Sequence, residues 1–271
     1  MNQPIASAAE AAPGRPGIAP TWTSSAKDMI TTTMGPSRVW ATVGHGIVNE
    51  VYWPTAGRPQ IRDLGFIVAG KSNWHEVKRV ARYRLSVPQP YIPLPRIVHE
   101  GEGYCLELEV SPDPLRDTIL ISFRLTGDDV RLYVLLAPHL DGSGLHNNAH
   151  ADKDLRAWKD GNALHLASNC GFSRTSAGYV GASDGWQDFS RNGHRFGARN
   201  PHHSQTAAAR RRGDGDDRVV QVQNPDSNRE GRAATHERPR LCVRGRPCSR
   251  ERPPPAYGGG GASGRLAMPA G

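Results

Sequence analysis

Between Trp22 and Asp188, apolar residues recur at every second position rather than every third or fourth. Tyr104–Val110 (YCLELEV) sets Tyr104, Leu106, Leu108 and Val110 on one face and Cys105, Glu107 and Glu109 on the other. Ile119–Leu125 (ILISFRL) repeats the pattern with Ile119, Ile121, Phe123 and Leu125. Successive side chains of a strand point to opposite sides, so this alternation predicts strands with one buried face. The link between them, SPDPLRDT, carries two prolines and two aspartates and reads as a turn, which makes the pair an antiparallel hairpin.

The same reading extends along the chain. DVRLYVLLAPHL (129–140) is a more continuously apolar strand ended by Pro138, and NALHLAS (162–168) is another. GFIVAG (65–70) and VWATVGHGIVNEVYWP (39–54) add further strands. Val77–Leu85 suits a short helix, or, with Tyr83 and the β-branched Val77 and Val80, a strand equally well. HLDGSGLHNNAHADKD (139–154) reads as a polar, mobile loop. Long amphipathic helices and internal repeats are not found. Short strands separated by Gly/Pro turns predict an all-β fold, a large antiparallel β-sandwich over residues 21–191.

Composition changes the picture at the two ends. Residues 1–20 have neither a basic n-region nor an apolar h-region, so they read as a flexible Ala/Pro/Gly leader and not as a secretory signal. With no signal, and no run of about 18 apolar residues for a transmembrane helix, a cytoplasmic protein without membrane contact is expected. The four cysteines are too few and scattered for a disulfide framework and read as reduced thiols. No cofactor or metal is expected.

The net charge of +8 is unevenly placed. Residues 194–271 hold 15 of the 34 basic residues, all Arg, against 7 of the 26 acidic ones, which leaves the rest of the chain neutral. This stretch has no Lys, Ile or Trp, and Gly, Pro, Arg and Ala supply 44 of its 78 residues. Strand periodicity is expected to stop near residue 191, and residues 192–271 to be a disordered tail. Fifteen arginines allow phosphate contacts. Acidic interruptions and only two aromatics, Phe196 and Tyr257, argue against a nucleic-acid partner.

The stretch richest in chemistry is RVWATVGHGIVNEVYWPTAGRPQIRDLGFIV (38–68), which places His45, Asn49, Glu50, Tyr52, Trp53, Arg62 and Asp63 close together. Flat rings beside amides and carboxylates suit sugar recognition, in which C–H faces stack and hydroxyls are hydrogen-bonded. The plainer reading makes Tyr52 and Trp53 core or interface aromatics and Arg62–Asp63 a local pair. Trp186 joins these residues as a candidate carbohydrate or interdomain contact. His45 with Glu50, or His139 with Asp141, are the residue pairs that acid/base work would draft, but no residue is assigned a catalytic role.

PGIAPTWTSSAKDMI, RVWATVGHGIVNEVYWP, IRDLGFIV, DVRLYVLLAPHLD and SAGYVGASDGWQDFSR occur in that order. Together they resemble the N-terminal domain of prokaryotic glucoamylases and glucodextranases of glycoside hydrolase family 15, over roughly residues 13–191. The resemblance implies a galactose-mutarotase-like β-sandwich that supports a following α/α barrel. It implies that the barrel hydrolyses α-glucosidic bonds with inversion, using two glutamates spaced to admit a water. It also makes an α-glucan oligosaccharide the expected ligand class. Nothing after residue 191 resembles the barrel, and Glu230, Glu237 and Glu251 sit in Arg/Pro-rich sequence. A tail dominated by residues with GC-rich codons is expected to be an out-of-frame reading that begins near Asn192, truncating the protein before its barrel. Loss of the last strands would then leave unpaired edges and a poorly soluble sandwich.

Overall fold

The hairpin Tyr104–Pro112/Thr118–Gly127 runs in unbroken antiparallel register from Tyr104↔Gly127 to Pro112↔Ile119. Its alternate residues Tyr104, Leu106, Leu108, Val110, Ile119, Ile121 and Phe123 are all buried. The computed structural model describes residues 12–22, 26–192, 206–209 and 218–223, the last two segments as backbone only, and all of them fall within one unit, Met1–Ala233.

The strands in chain order are β1 (Met29–Ile30), β2 (Trp40–Gly44), β3 (Ile47–Tyr52), β4 (Ile61–Ala69), β5 (Trp74–Glu76), β6 (Arg82–Ser86), β7 (Arg96–Gly101) and β8 (Tyr104–Pro112). They continue with β9 (Thr118–Gly127), β10 (Arg131–Pro138), β11 (Asn148–Ala151), β12 (Leu155–Lys159), β13 (Asn162–Ser168), β14 (Phe172–Ser176), β15 (Thr206–Ala209) and β16 (Arg218–Gln223). Two helices, α1 (Val77–Val80) and α2 (Gly185–Asn192), complete the described elements with a 3₁₀ turn at Leu140–Gly142.

The strands form two eight-stranded antiparallel sheets. The first has the order β1-β2-β3-β4-β10-β15-β14, with β5 also paired to β4, and the second the order β11-β12-β13-β16-β9-β8-β7-β6. Leu64, Phe66 and Val68 of β4 and Leu132, Val134 and Leu136 of β10 share one core with Leu106, Leu108, Ile119, Ile121, Leu155 and Leu166 of the second sheet. An apolar layer between two sheets is the defining feature of a β-sandwich.

The first sheet is also covered outside. Ile67, Ala69 and Tyr133, on the opposite face of β4 and β10, form a second cluster with Phe189 of α2. Asp184 caps that helix, its carboxylate accepting the Gln187 N–H at 2.9 Å.

Four expectations change against the structure. Val77–Leu85 is neither one helix nor one strand, because α1 ends at Val80 and β6 begins at Arg82. The polar loop 139–154 contains the 3₁₀ turn and β11, and His139 and Leu140 within it are buried. Part of the expected flexible leader is tied down, since Ile18 N–H donates to Val180 O at 2.9 Å and Ala12 is buried. Strand structure does not stop near residue 191, because β15 pairs with β10 and β14, and β16 pairs with β9 and β13. The RVVQVQ of β16 has its own period of two, with Val220 in register with Ile121 and Val222 with Ile119. The remainder of the expected disordered, out-of-frame tail lies outside the described residues, as do residues 1–11 of the leader.

Candidate functional site

The candidate residues sit on the β2–β3 hairpin, on β4, and on the elements that cover the outer face of the first sheet. At the hairpin tip, His45 and Gly46 both have positive φ, 54° and 70°, the geometry of a tight two-residue turn that suits strand twist. The Gly46 carbonyl accepts a 2.6 Å hydrogen bond from Nε2 of His99 on β7. A side chain at Gly46 would collide with that imidazole. Burial pushes the His99 imidazole below its ordinary pKa, against the hydrogen bond to Gly46. His45 therefore belongs to a turn clamped across the two sheets.

Asn49 and Glu50 lie where β3 has a register shift opposite Thr42, a bulge that turns both polar residues out of strict alternation. Asn49 Nδ2 donates to Ala26 O at 3.0 Å. Glu50 accepts from Thr42 Oγ1 at 2.6 Å and pairs with Lys27 at 2.9 Å. Both side chains thus hold the incoming segment 26–28 against the hairpin.

The aromatic faces are occupied as well. Tyr52 stacks on Trp40 with ring centroids 4.3 Å apart and an interplanar angle of 8°. Burial, and next the charge of Glu50, push its phenol up. Trp53 donates Nε1–H to Asp117 at 2.6 Å, while the Arg38 guanidinium lies 5.3 Å from its ring centroid. Asp117 also accepts from the Arg38 backbone N–H at 2.7 Å and its guanidinium at 2.8 Å. Burial alone would raise the Asp117 carboxyl, but these hydrogen bonds and the Arg38 charge hold it below its ordinary value. Sequence reasoning missed Asp117, which is concealed in a turn-like stretch. Its only signal was the pair of prolines and aspartates there.

Arg62 and Asp63 of β4 open a chain of charges beneath α2. Asp63 pairs with Arg62 at 3.5 Å and Lys78 at 3.0 Å, and Lys78 reaches Glu76 at 3.3 Å. Glu76 pairs with Arg79 and accepts Trp186 Nε1–H at 3.0 Å. Arg79 in turn lies over the Trp186 ring at 5.7 Å. The structure thus links Arg62 and Asp63 to Trp186 through Glu76, Lys78 and Arg79, and leaves the β3 residues as a separate group.

His139 is buried, with the Trp22 ring meeting it edge-on at 4.6 Å. Burial and the Arg62 charge push its imidazole down to about 4, opposed by Asp63. Asp141 pairs with Arg58 at 3.4 Å. No hydrogen bond or ion pair joins His45 to Glu50, or His139 to Asp141, among the described residues. The same residues contain no group of three or more His, Cys, Asp or Glu suited to a metal, and no helix long and apolar enough to cross a membrane.

A sandwich of this architecture, whose carboxylates are engaged in packing, can be set beside known proteins. The family model described as glucodextranase, domain N, matches residues 12–209. The chain belongs to that family. The match reaches past residue 191, where the resemblance was expected to end, and starts within the expected leader. A glucoamylase of Clostridium sp. (strain G0005) is 26% identical over 191 residues, covering 65% of this chain and 27% of the relative. A crystal structure of a bacterial glucoamylase complexed with acarbose shares the fold at a TM-score of 0.67 and 23% identity, over 80% of this chain and 33% of that one. The chain therefore spans about a quarter to a third of the length of these glucoamylases.

Proposed function

We propose that this domain N sandwich is the non-catalytic part of a glucoamylase-like α-glucan hydrolase, and that it packs on and supports a catalytic α/α barrel. The supporting observation is the span of the match. Domain N accounts for residues 12–209, and the glucoamylase relative extends well beyond the 27% that this chain covers. The buried carboxylates Glu50, Asp63 and Glu76 are all engaged in packing. Glu50 is held by Thr42 and Lys27, Asp63 by Lys78, and Glu76 by Arg79 and Trp186. An inverting hydrolase requires a proton-donating acid and a base with room for water between them and the sugar. Carboxylates locked in ion pairs, Glu50 on β3 and Asp63 and Glu76 in the network with Trp186, do not supply that room.

The test is glucose release from maltoheptaose and isomaltose by the purified chain. We expect none above the blank. Release that is retained on repurification and abolished by Glu50→Gln or Asp63→Asn would overturn the reading.

Carbohydrate binding without catalysis is the second reading. It is favoured by an exposed tryptophan face, although not at Tyr52, Trp53 or Trp186, whose rings are already covered by Trp40, Arg38 and Arg79.

A further inference from the structure

We propose that the outer face of β11, β12 and β13 is a shallow binding platform for α-linked glucose oligosaccharides, centred on Trp158. The ligand class rests on the reading that the sandwich serves an α-glucan hydrolase.

The tryptophans differ in what covers them. Trp40 stacks on Tyr52, Trp53 lies under Arg38, Trp74 and Trp186 pack on each other, and Trp22 abuts His139. Trp158 is 45% exposed. Among the described residues, its ring has no aromatic or cationic neighbour.

Strand register sets what surrounds it. Alternation along β12 sends Leu155 and Ala157 into the core and leaves Arg156 and Trp158 outside. Trp158 is in register with Asn148 on one side and Ala163 on the other. Arg156 is in register with His150 and His165. Directly opposed residues share a face, so these six side chains form two rows across three strands. The rows are about 7 Å apart along the strands, and the three strands span about 10 Å. Ala163 leaves a low floor beside the indole. His165 Nε2 lies 3.3 Å from Asp154 Oδ2, which adds a carboxylate at the margin.

The chemistry of this face matches a pyranose better than a protein. Protein interfaces cluster several hot-spot side chains in well-packed, desolvated pockets at their centre, whereas here a single indole stands on an open sheet face among polar groups. A pyranose presents a C–H face for the ring and hydroxyls for the Arg156 guanidinium, the Asn148 amide and the Asp154 carboxylate. Across β6, β7 and β8 of the same sheet, by contrast, charges pair with one another, as in Arg96–Glu107 at 2.9 Å and Arg84–Glu100 at 2.8 Å.

Isothermal titration of the full chain with maltoheptaose and with isomaltoheptaose, at millimolar ligand, tests the platform and tells α-1,4 from α-1,6 linkage. We expect saturable binding of at least one of them. Trp158→Ala should weaken it about ten-fold or more, while Trp22→Ala binds as the unmodified chain does. Ala163→Glu keeps Trp158 in place but fills the floor beside it, and should give the same loss, which decides the matter if Trp158→Ala fails to fold. No binding of either sugar by the unmodified chain, or undiminished binding by Trp158→Ala or Ala163→Glu, overturns the platform. That failure leaves the non-catalytic sandwich standing, which glucose release alone would overturn.

Discussion

His139 shows how a residue nominated for chemistry becomes a structural one. It lies at the end of β10, buried against Trp22, with Arg62 and Asp63 nearby, and is held down to about 4. Such a histidine is neutral in the folded chain and protonated in the unfolded chain once the pH is acid. Its contribution to stability is complete above its ordinary value of about 6.5 and is lost as pH falls from there towards about 4. His99, also pushed down by burial, acts in the same direction. Urea unfolding at pH 7 and 4.5 checks this. The unmodified chain should lose on the order of 1–2 kcal/mol more than His139→Gln between the two pH values, after screening by solvent. Equal losses would show that the imidazole is not held neutral by the fold.

The residue scale also shows what the sequence conveys and what it conceals. Residue types with sugar-binding chemistry were visible between positions 38 and 68, but their partners were not. Glu50 meets Lys27 from 23 positions away, Trp53 meets Asp117 from 64, and Trp186 meets Glu76 from 110. A one-dimensional pattern cannot say which ring faces are already covered, and that is what separates Trp53 from Trp158.

At the scale of elements, the β8–β9 hairpin was readable because it alternates strictly and one face is buried, whereas β7 was not read and β6 was left between helix and strand. Helix α2 was less visible, since only Phe189 and Gly185 of its eight residues are buried. Phe189 packs on Tyr133 with centroids 4.7 Å apart and on Trp74 at 5.6 Å. Phe189→Ala should cost about 3–5 kcal/mol in denaturant unfolding. A loss below about 1 kcal/mol would mean that α2 does not seal the sheet.

Strands β15 and β16 were concealed by the composition of the stretch around them, where Arg, Gly, Pro and Ala dominate. Their positions make them decisive. β16 alone joins β13 to β9, so without it the second sheet divides into β11–β13 and β6–β9. β15 likewise connects β14 to β10. A chain ending at Asn192 loses both ladders, on the order of ten hydrogen bonds at about 1 kcal/mol each, against a typical domain stability of about 5–15 kcal/mol. It should show no cooperative thermal transition. A sharp melt matching that of the full chain would remove β15 and β16 from the account.

For the whole molecule, fold class was legible because period-two alternation and Gly/Pro turns persist for most of the chain. The ordered blocks of family resemblance pointed to the domain N family that the match over residues 12–209 shows. The division of labour between this sandwich and a catalytic barrel is the central claim, and one sample with two readings tests it most directly. The purified 271-residue chain is melted to demonstrate folding, then incubated in the same buffer with maltoheptaose while glucose is followed over time. The account predicts a cooperative melt and no glucose above the blank. Glucose accumulating in proportion to the concentration of the folded chain would contradict it.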